Sequence, residues 1–278
     1  MGRLILSLIG FGAIAYLGLA IALWLGQTRL MFFPQPPPVT TPATVGRPYE
    51  DVVIPVGKGH IHGWWLPAAD PHAKTALIFH GNASNVESSF QKNQPLLAAG
   101  LAALIIDYRG YGLSSGPFPN EARVYEDATA AWEYLTQGRQ IPPGSIVIWG
   151  DSIGGAIAIE LARHQPHAAG LVVQASFTSM GDMMDYAGYG QWLPKWLLNQ
   201  RFDSLPKVAT LRLPALFIHG EGDRTVPATM SQRLYAATPE PKTLWLVPGA
   251  AHNDIATVAG AAYEQKLTAW LATLPPTP

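Results

Sequence analysis

Trp149-Gly150-Asp151-Ser152-Ile153-Gly154-Gly155 is the stretch from which the rest of the chain can be read. Residues 145–149 before it (Ser-Ile-Val-Ile-Trp) are an apolar, β-rich run short enough for a buried strand, and residues 156–163 after it read as a helix. Ser152 therefore falls on a strand-to-helix corner. A corner that sharp strains the backbone of its central residue and closes only where the flanking positions carry no Cβ, as at Gly150 and Gly154. The hydroxyl is held out at the C-terminal edge of the sheet. The first amides of the new helix have no intrahelical partners and point their partial positive charge toward any anion formed there. The pattern is G-x-S-x-G, and the strand before it and helix after it favour an exposed nucleophile over a plain glycine-rich turn.

At 278 residues, 48% hydrophobic and 13% charged, the chain suits one large α/β domain with an appendage. A formal net charge of -1 offers no basic stripe for phosphate backbones, so nucleic acid is not an expected partner. With no cysteine in the chain, disulfides, thiolate metal sites and a cysteine nucleophile are excluded. No cofactor is implied, and the oligomeric state is left open.

Residues 4–25 form an uncharged apolar run, roughly 33 Å long as a helix, which matches a bilayer core. Trp24 and Arg29 stand near its far end as interfacial anchors. The rival reading, a secretory signal peptide, calls for a shorter apolar region and a small-x-small cleavage site, neither of which is evident. Arg3 against Arg29 favours the N-terminus inside, with the folded domain on the non-cytoplasmic side. The expected division is a transmembrane anchor over 1–28, a proline-rich linker over 29–48 that lifts the domain off the bilayer, and a folded domain over 49–278.

Within that domain, residues 52–56 and 60–66 read as a hairpin turned at Gly57-Lys58-Gly59, and residues 75–80 as a strand without alternation. Helix over 86–99, strand over 101–107, helix over 121–136, the corner strand with its helix, and strand over 170–175 then follow. Such interleaving implies a mostly parallel central sheet with helices on both faces, an α/β class. Between about residues 178 and 213 the alternation breaks into an insertion rich in Met and aromatic residues, which reads either as a small cap or as a cover for the sheet edge. After it come a strand over 215–219, a helix from 227, a last strand over 242–247, and a closing helix over 257–274. His60 and His62 share a strand face, but no third metal ligand is near them in the sequence, so edge-strand polarity is preferred to a metal site.

A serine hydroxyl needs a neutral imidazole to take its proton and a carboxylate to fix that imidazole's tautomer. Ser152, Asp223 and His252 each follow a predicted strand, and they form the candidate catalytic set. Glu221, two residues earlier and at the end of the predicted strand, is the runner-up acid, and Asp107 is another, set against a structural turn held by Asp107 and Arg109. His219 reads as a buried, hydrogen-bonded histidine and not as a competing base. The N–H groups of Asn82, after the turn at Gly81, and of Ile153 are the candidate oxyanion donors.

The chain resembles the membrane-anchored α/β-hydrolase-domain serine hydrolases with a single N-terminal span and a minimal cap. The resemblance covers nearly all of it. It rests on His80-Gly81-Asn82, Asp107-Tyr108-Arg109-Gly110-Tyr111-Gly112, the stretch from Gly150 to Gly155, Phe202-Asp203-Ser204, Gly220-Glu221-Gly222-Asp223 with Val226-Pro227, and His252-Asn253-Asp254. It implies an α/β-hydrolase fold, ester, lipid or thioester hydrolysis, and Ser152, Asp223 and His252 as the triad, whose order along the chain is that of the family. A serine peptidase on the same fold and a non-catalytic, membrane-anchored binding or scaffold protein are the alternatives. Trp192 and Trp196 in the cap are expected to bind a lipid or other acyl chain, so that kcat/KM rises with acyl length. A chain starting near Tyr49 is expected to keep its activity on dispersed short esters.

Overall fold

The computed structural model describes residues 1–276. It begins with α1 (Gly2–Met31), a helix of 30 residues with a mean hydropathy of 2.3 over its most apolar window, long and apolar enough to cross a membrane. The hairpin β1 (Glu50–Val56) and β2 (Gly59–Leu66) follows, then β3 (Thr75–Phe79), α2 (Val86–Lys92), α3 (Gln94–Ala98), β4 (Ala102–Ile106) and α4 (Glu121–Glu133). Next come β5 (Ile146–Asp151), α5 (Ile153–His164), β6 (Gly170–Gln174), α6 (Met180–Tyr186), α7 (Ser204–Val208) and β7 (Ala215–Gly220). The chain closes with α8 (Ala228–Ala237), β8 (Lys242–Val247), α9 (Ile255–Ala259) and α10 (Ala261–Leu271).

One eight-stranded sheet has the order β1-β2-β4-β3-β5-β6-β7-β8. β1 pairs antiparallel with β2, and β2 antiparallel with β4; every later pairing is parallel. The inner strands β3, β4, β5, β6 and β7 lack sequence alternation because both faces are covered. Leu77, Phe79, Ile148 and Phe217 enter a core completed by α4, α5 and α8, while Ala76, Ile78, Trp149 and Ile218 enter a second completed by α2, α3, α9 and α10. Parallel strands buried on both sides read as continuous apolar runs.

Two expected helices are broken. The 86–99 helix divides at Asn93, which ends α2 and starts α3 with Pro95 in its first turn. The closing helix divides at Gly260, whose φ of +54° carries the chain through the left-handed region.

Residues 32–48, expected as a free spacer, instead lie along the domain. Phe32 is buried and its ring centroid sits 6.2 Å from that of Phe202. The Gln35 carbonyl accepts from the Gly112 N–H at 3.0 Å, the Pro36 carbonyl from Asn85 Nδ2 at 3.1 Å, and the Glu87 carboxylate takes the N–H groups of Val39 and Thr40. Proline made this segment extended, but its carbonyls and remaining amides found partners on the domain. The second half of α1 is also docked. Tyr16 Oη donates to the Trp192 carbonyl, Gln27 bridges the Leu197 carbonyl and the Asn199 N–H, and Asn199 Nδ2 donates to the Trp24 carbonyl.

Candidate active site

Ser152 sits between β5 and α5 with φ +55° and ψ -119°, a conformation costing a non-glycine residue about 1–3 kcal/mol. The surroundings impose it. A Cβ on Gly150 would lie 2.1 Å from the Gly154 carbonyl oxygen, and one on Gly154 would lie 2.1 Å from that of Phe79, so strand and helix meet backbone to backbone. The Ser152 N–H donates to the Gln174 carbonyl at 2.9 Å, and Ser176 Oγ donates to the Ser152 carbonyl at 2.8 Å, holding the corner from β6.

Ser152, Asp223 and His252 come together from three strand ends. Ser152 Oγ is 3.1 Å from His252 Nε2, and His252 Nδ1 is 2.6 Å from Asp223 Oδ2. This geometry assigns the proton of the neutral imidazole to Nδ1, leaving Nε2 free to accept from the serine. Asp223 is closely held. Its Oδ1 accepts from the N–H groups of Thr225 and Val226 at 2.8 and 2.9 Å, and His219 Nε2 lies 3.2 Å from Oδ2. Burial pushes this carboxyl up, but the hydrogen bonds from His219, His252 and Val226 outweigh it and hold Asp223 well below the usual carboxylate range. His219 is itself buried between Ser231 Oγ and the Val226 carbonyl, to which Nε2 also donates.

The rival acids lie elsewhere. Glu221 is exposed and stands just beyond the end of β7, not on it, with its N–H donating to the Val247 carbonyl. Asp107 is fully buried, accepts from the Val86 N–H at 2.8 Å and lies 3.3 Å from His80 Nε2. Asp107 and Arg109 both hold the turn after β4 but through different partners, Arg109 pairing with Asp127 at 2.5 Å and Glu126 at 2.6 Å, both on α4. Asp107 Oδ1 is occupied by the Val86 N–H and Arg109 is drawn to Asp127 through its own N–H, so each side chain already has another partner. His62 likewise meets Asp51 at 2.9 Å and His60 meets Ser115 at 2.8 Å, and no metal-binding cluster occurs among the described residues.

Asn82 and Ile153 flank the serine. A Cβ on Gly81 would lie 3.4 Å from that of Ser152, so the turn before Asn82 is in contact with the corner. Among the described residues, neither the Asn82 N–H nor the Ile153 N–H has a protein acceptor. The Asn82 side chain, by contrast, is fully engaged. Oδ1 accepts from the Phe33 N–H and from Tyr111 Oη, both at 2.9 Å, and Nδ2 donates to the Met31 carbonyl at 2.5 Å. Burial holds the Tyr111 phenol well above its ordinary range, so it remains a donor.

A cavity of about 760 Å³ opens at Ser152 and His252, with Asn82, Ser84, Gln91, Lys92 and Asn253 on its walls. Lys92 Nζ reaches Asp151 Oδ2 at 2.5 Å, and Gln174 Nε2 reaches Asp151 Oδ1 at 3.2 Å, while Tyr263 Oη donates to Gln174 Oε1. Sequence reasoning missed Lys92, which carries no motif and lies 59 residues from its partner. Trp192 and Trp196, expected to bind an acyl chain, are not on these walls; they are 70% and 78% exposed. The cap turns them outward because its inner side is filled by Met180, Met183 and Phe202 packed on the core.

Residues 70–206 match the sequence model of a hydrolase family described as serine aminopeptidase, S33. The chain is 36% identical over 252 residues to an uncharacterized protein of Mycobacterium tuberculosis, covering 90% of this chain and 88% of that one. It is 28% identical over 283 residues to the α/β hydrolase domain-containing protein WAV2 of Arabidopsis thaliana, covering 91% and 90%. An esterase of Pyrococcus furiosus superposes with a TM-score of 0.71 at 21% identity, over 88% of this chain and 99% of that one. With this sheet order and this serine corner, the chain belongs to the α/β-hydrolase family.

Proposed function

We propose that the chain is a serine hydrolase that cleaves acyl ester or thioester bonds through an acyl-enzyme, held at a membrane by α1. The observation that carries this reading is the unbroken series Ser152 Oγ, His252 Nε2, His252 Nδ1 and Asp223 Oδ2, with contacts of 3.1 and 2.6 Å. As Ser152 Oγ attacks the carbonyl carbon, its proton passes to His252 Nε2, and Asp223 stabilises the imidazolium through Nδ1–H. The carbonyl oxygen gains charge and meets the free N–H groups of Ile153 and Asn82. His252 then protonates the departing alkoxide or thiolate. Water then attacks the acyl carbon as His252 takes its proton, and His252 returns a proton to Ser152 Oγ as the acid departs.

A fluorophosphonate probe reacts only with an activated serine. Labelling of the full chain that disappears in Ser152→Ala supports the proposal; labelling retained in that variant would place the nucleophile elsewhere. Amide cleavage is favoured by one observation, the aminopeptidase description of the matching family. Turnover of aminoacyl amides above esters and thioesters of the same acyl group would move the assignment to a peptidase.

A further inference from the structure

The cap segment over residues 187–198 carries Tyr189, Trp192, Leu193, Trp196, Leu197 and Leu198, with Lys195 as its single charged residue. Tyr189, Trp192 and Trp196 are 60%, 70% and 78% exposed, large aromatic surface that contributes nothing to either core. The same segment is tied to α1 at two heights: the Trp192 carbonyl to Tyr16, and the Leu197 carbonyl to Gln27. Ala20 and Gln27 are buried on that side, whereas Leu17, Leu19, Ile21 and Leu25 on the remaining faces are more than half exposed.

Helix geometry converts these contacts into a depth. Tyr16 lies nine residues before Leu25, the end of the apolar run, which is about 14 Å at 1.5 Å per residue. One leaflet of hydrocarbon is about 15 Å thick. If α1 spans a bilayer, the Trp192 carbonyl therefore stands well inside the leaflet on the domain's side, and the cap cannot be lifted clear without breaking the Tyr16, Gln27 and Asn199 hydrogen bonds. Lys195 Nζ is paired with Asp185 at 2.5 Å, so the one charge of the segment is neutralised by a neighbour. Trp196, next to the Leu197 that meets Gln27, stands near the level where hydrocarbon meets headgroups, at which Trp settles.

From this placement we infer that the 187–198 segment is a second membrane-binding element, which sinks Tyr189, Trp192 and Trp196 into the lipid leaflet beside α1. The partner is the acyl and headgroup region of a bilayer. The proposal rests on reading α1 as a membrane span. It assigns the exposed tryptophans to the lipid surface instead of to a substrate.

The cysteine-free chain permits a direct test. Full-length Trp192→Cys, Trp196→Cys, Ile9→Cys, Leu17→Cys and Val53→Cys variants, each carrying a nitroxide, are placed in phosphatidylcholine–phosphatidylglycerol vesicles. Collision with oxygen is compared with collision with a water-soluble nickel chelate. The Trp192→Cys and Trp196→Cys labels should favour oxygen, as Ile9→Cys and Leu17→Cys do, with Trp192→Cys at the depth of Leu17→Cys to within about one helical turn of 5.4 Å. The Val53→Cys label on β1 should favour nickel. Oxygen-favouring labels on α1 with nickel-favouring labels at 192 and 196 would overturn the proposal and leave the anchor standing. Nickel-favouring labels at all five positions would overturn both. Labels at 192 and 196 shielded from both reagents would mean that a second copy covers this face, which also overturns it.

Discussion

Asn82 Nδ2 donates to the carbonyl of Met31, the last residue of α1, at 2.5 Å, and Asn82 Oδ1 accepts from the Phe33 N–H two residues on. The N-terminal segment is thus fastened to a residue that lines the cavity at Ser152. By sequence alone, residues 1–48 are an anchor and spacer that dispersed substrates do not need. The contacts argue the reverse. Asn82→Ala should lower kcat on a short, dispersed ester by about 10²-fold with little change in KM, the loss typical of one misplaced oxyanion donor. A chain starting at Tyr49 should lose rate comparably on the same substrate. Steady-state kinetics decide this, and full activity in both variants would show that the Met31 and Phe33 contacts do not position the donor.

Asp223 and Glu221 are two residues apart, yet only Asp223 reaches His252. Asp223→Asn removes the acceptor that fixes the Nδ1–H tautomer and should lower kcat on the order of 10⁴-fold. Glu221→Gln changes an exposed group and should leave kcat unaltered. A crippled Glu221→Gln beside a mild Asp223→Asn would overturn the assignment.

The low folded-state pKa of Asp223 has a consequence for stability. Its unfolded pKa is about 3.9, so the folded state favours the carboxylate and gains stability from it at every pH above that value. This gain is lost as pH falls below about 4 toward the folded pKa, because the unfolded chain takes up the proton first. Thermal unfolding should find Asp223→Asn less stable than the parent near neutrality, with the gap narrowing below about pH 4. A gap that widens on acidification would contradict the sign.

Chain-length preference should not depend on the cap tryptophans. The cavity at Ser152 is bordered by Ser84, Gln91, Lys92 and Asn253, and Trp192 and Trp196 are absent from its walls. Trp192→Ala and Trp196→Ala should therefore leave the ratio of kcat/KM for octanoyl and acetyl esters within about twofold of the parent, measured below the micelle threshold. A buried CH2 contributes about 0.8 kcal/mol, so tryptophans that did hold an octanoyl tail would shift this ratio by an order of magnitude or more.

What the sequence disclosed was governed by local rules. The corner at Ser152 was legible because strand, glycine and helix succeed one another within a dozen residues. Asp223 and His252 were legible because each follows a short apolar run, and parallel strands deliver their ends to one edge. Lys92 and Asp151 were not, since their pairing depends on α2 lying over the end of β5 and no local pattern records that contact. The run of prolines after Pro34 spoke for extended backbone without naming the acceptors and donors, Asn85, Glu87 and Gly112, that bind it down. Trp192 and Trp196 could be recognised as large and apolar, but only the packed inner side of the cap decides that they face outward.

The contacts of α1 also impose an order on biosynthesis. Tyr16 and Gln27 find their partners 176 and 170 residues later in the chain, so α1 leaves the ribosome long before anything exists to receive its polar side chains. Whatever surrounds it in that interval must tolerate an unpaired glutamine amide and phenol. The binding face is completed only when residue 199 has been made and the cap has folded back. The newborn helix must therefore wait, its polar side chains not yet paired, for a domain that returns to its own beginning.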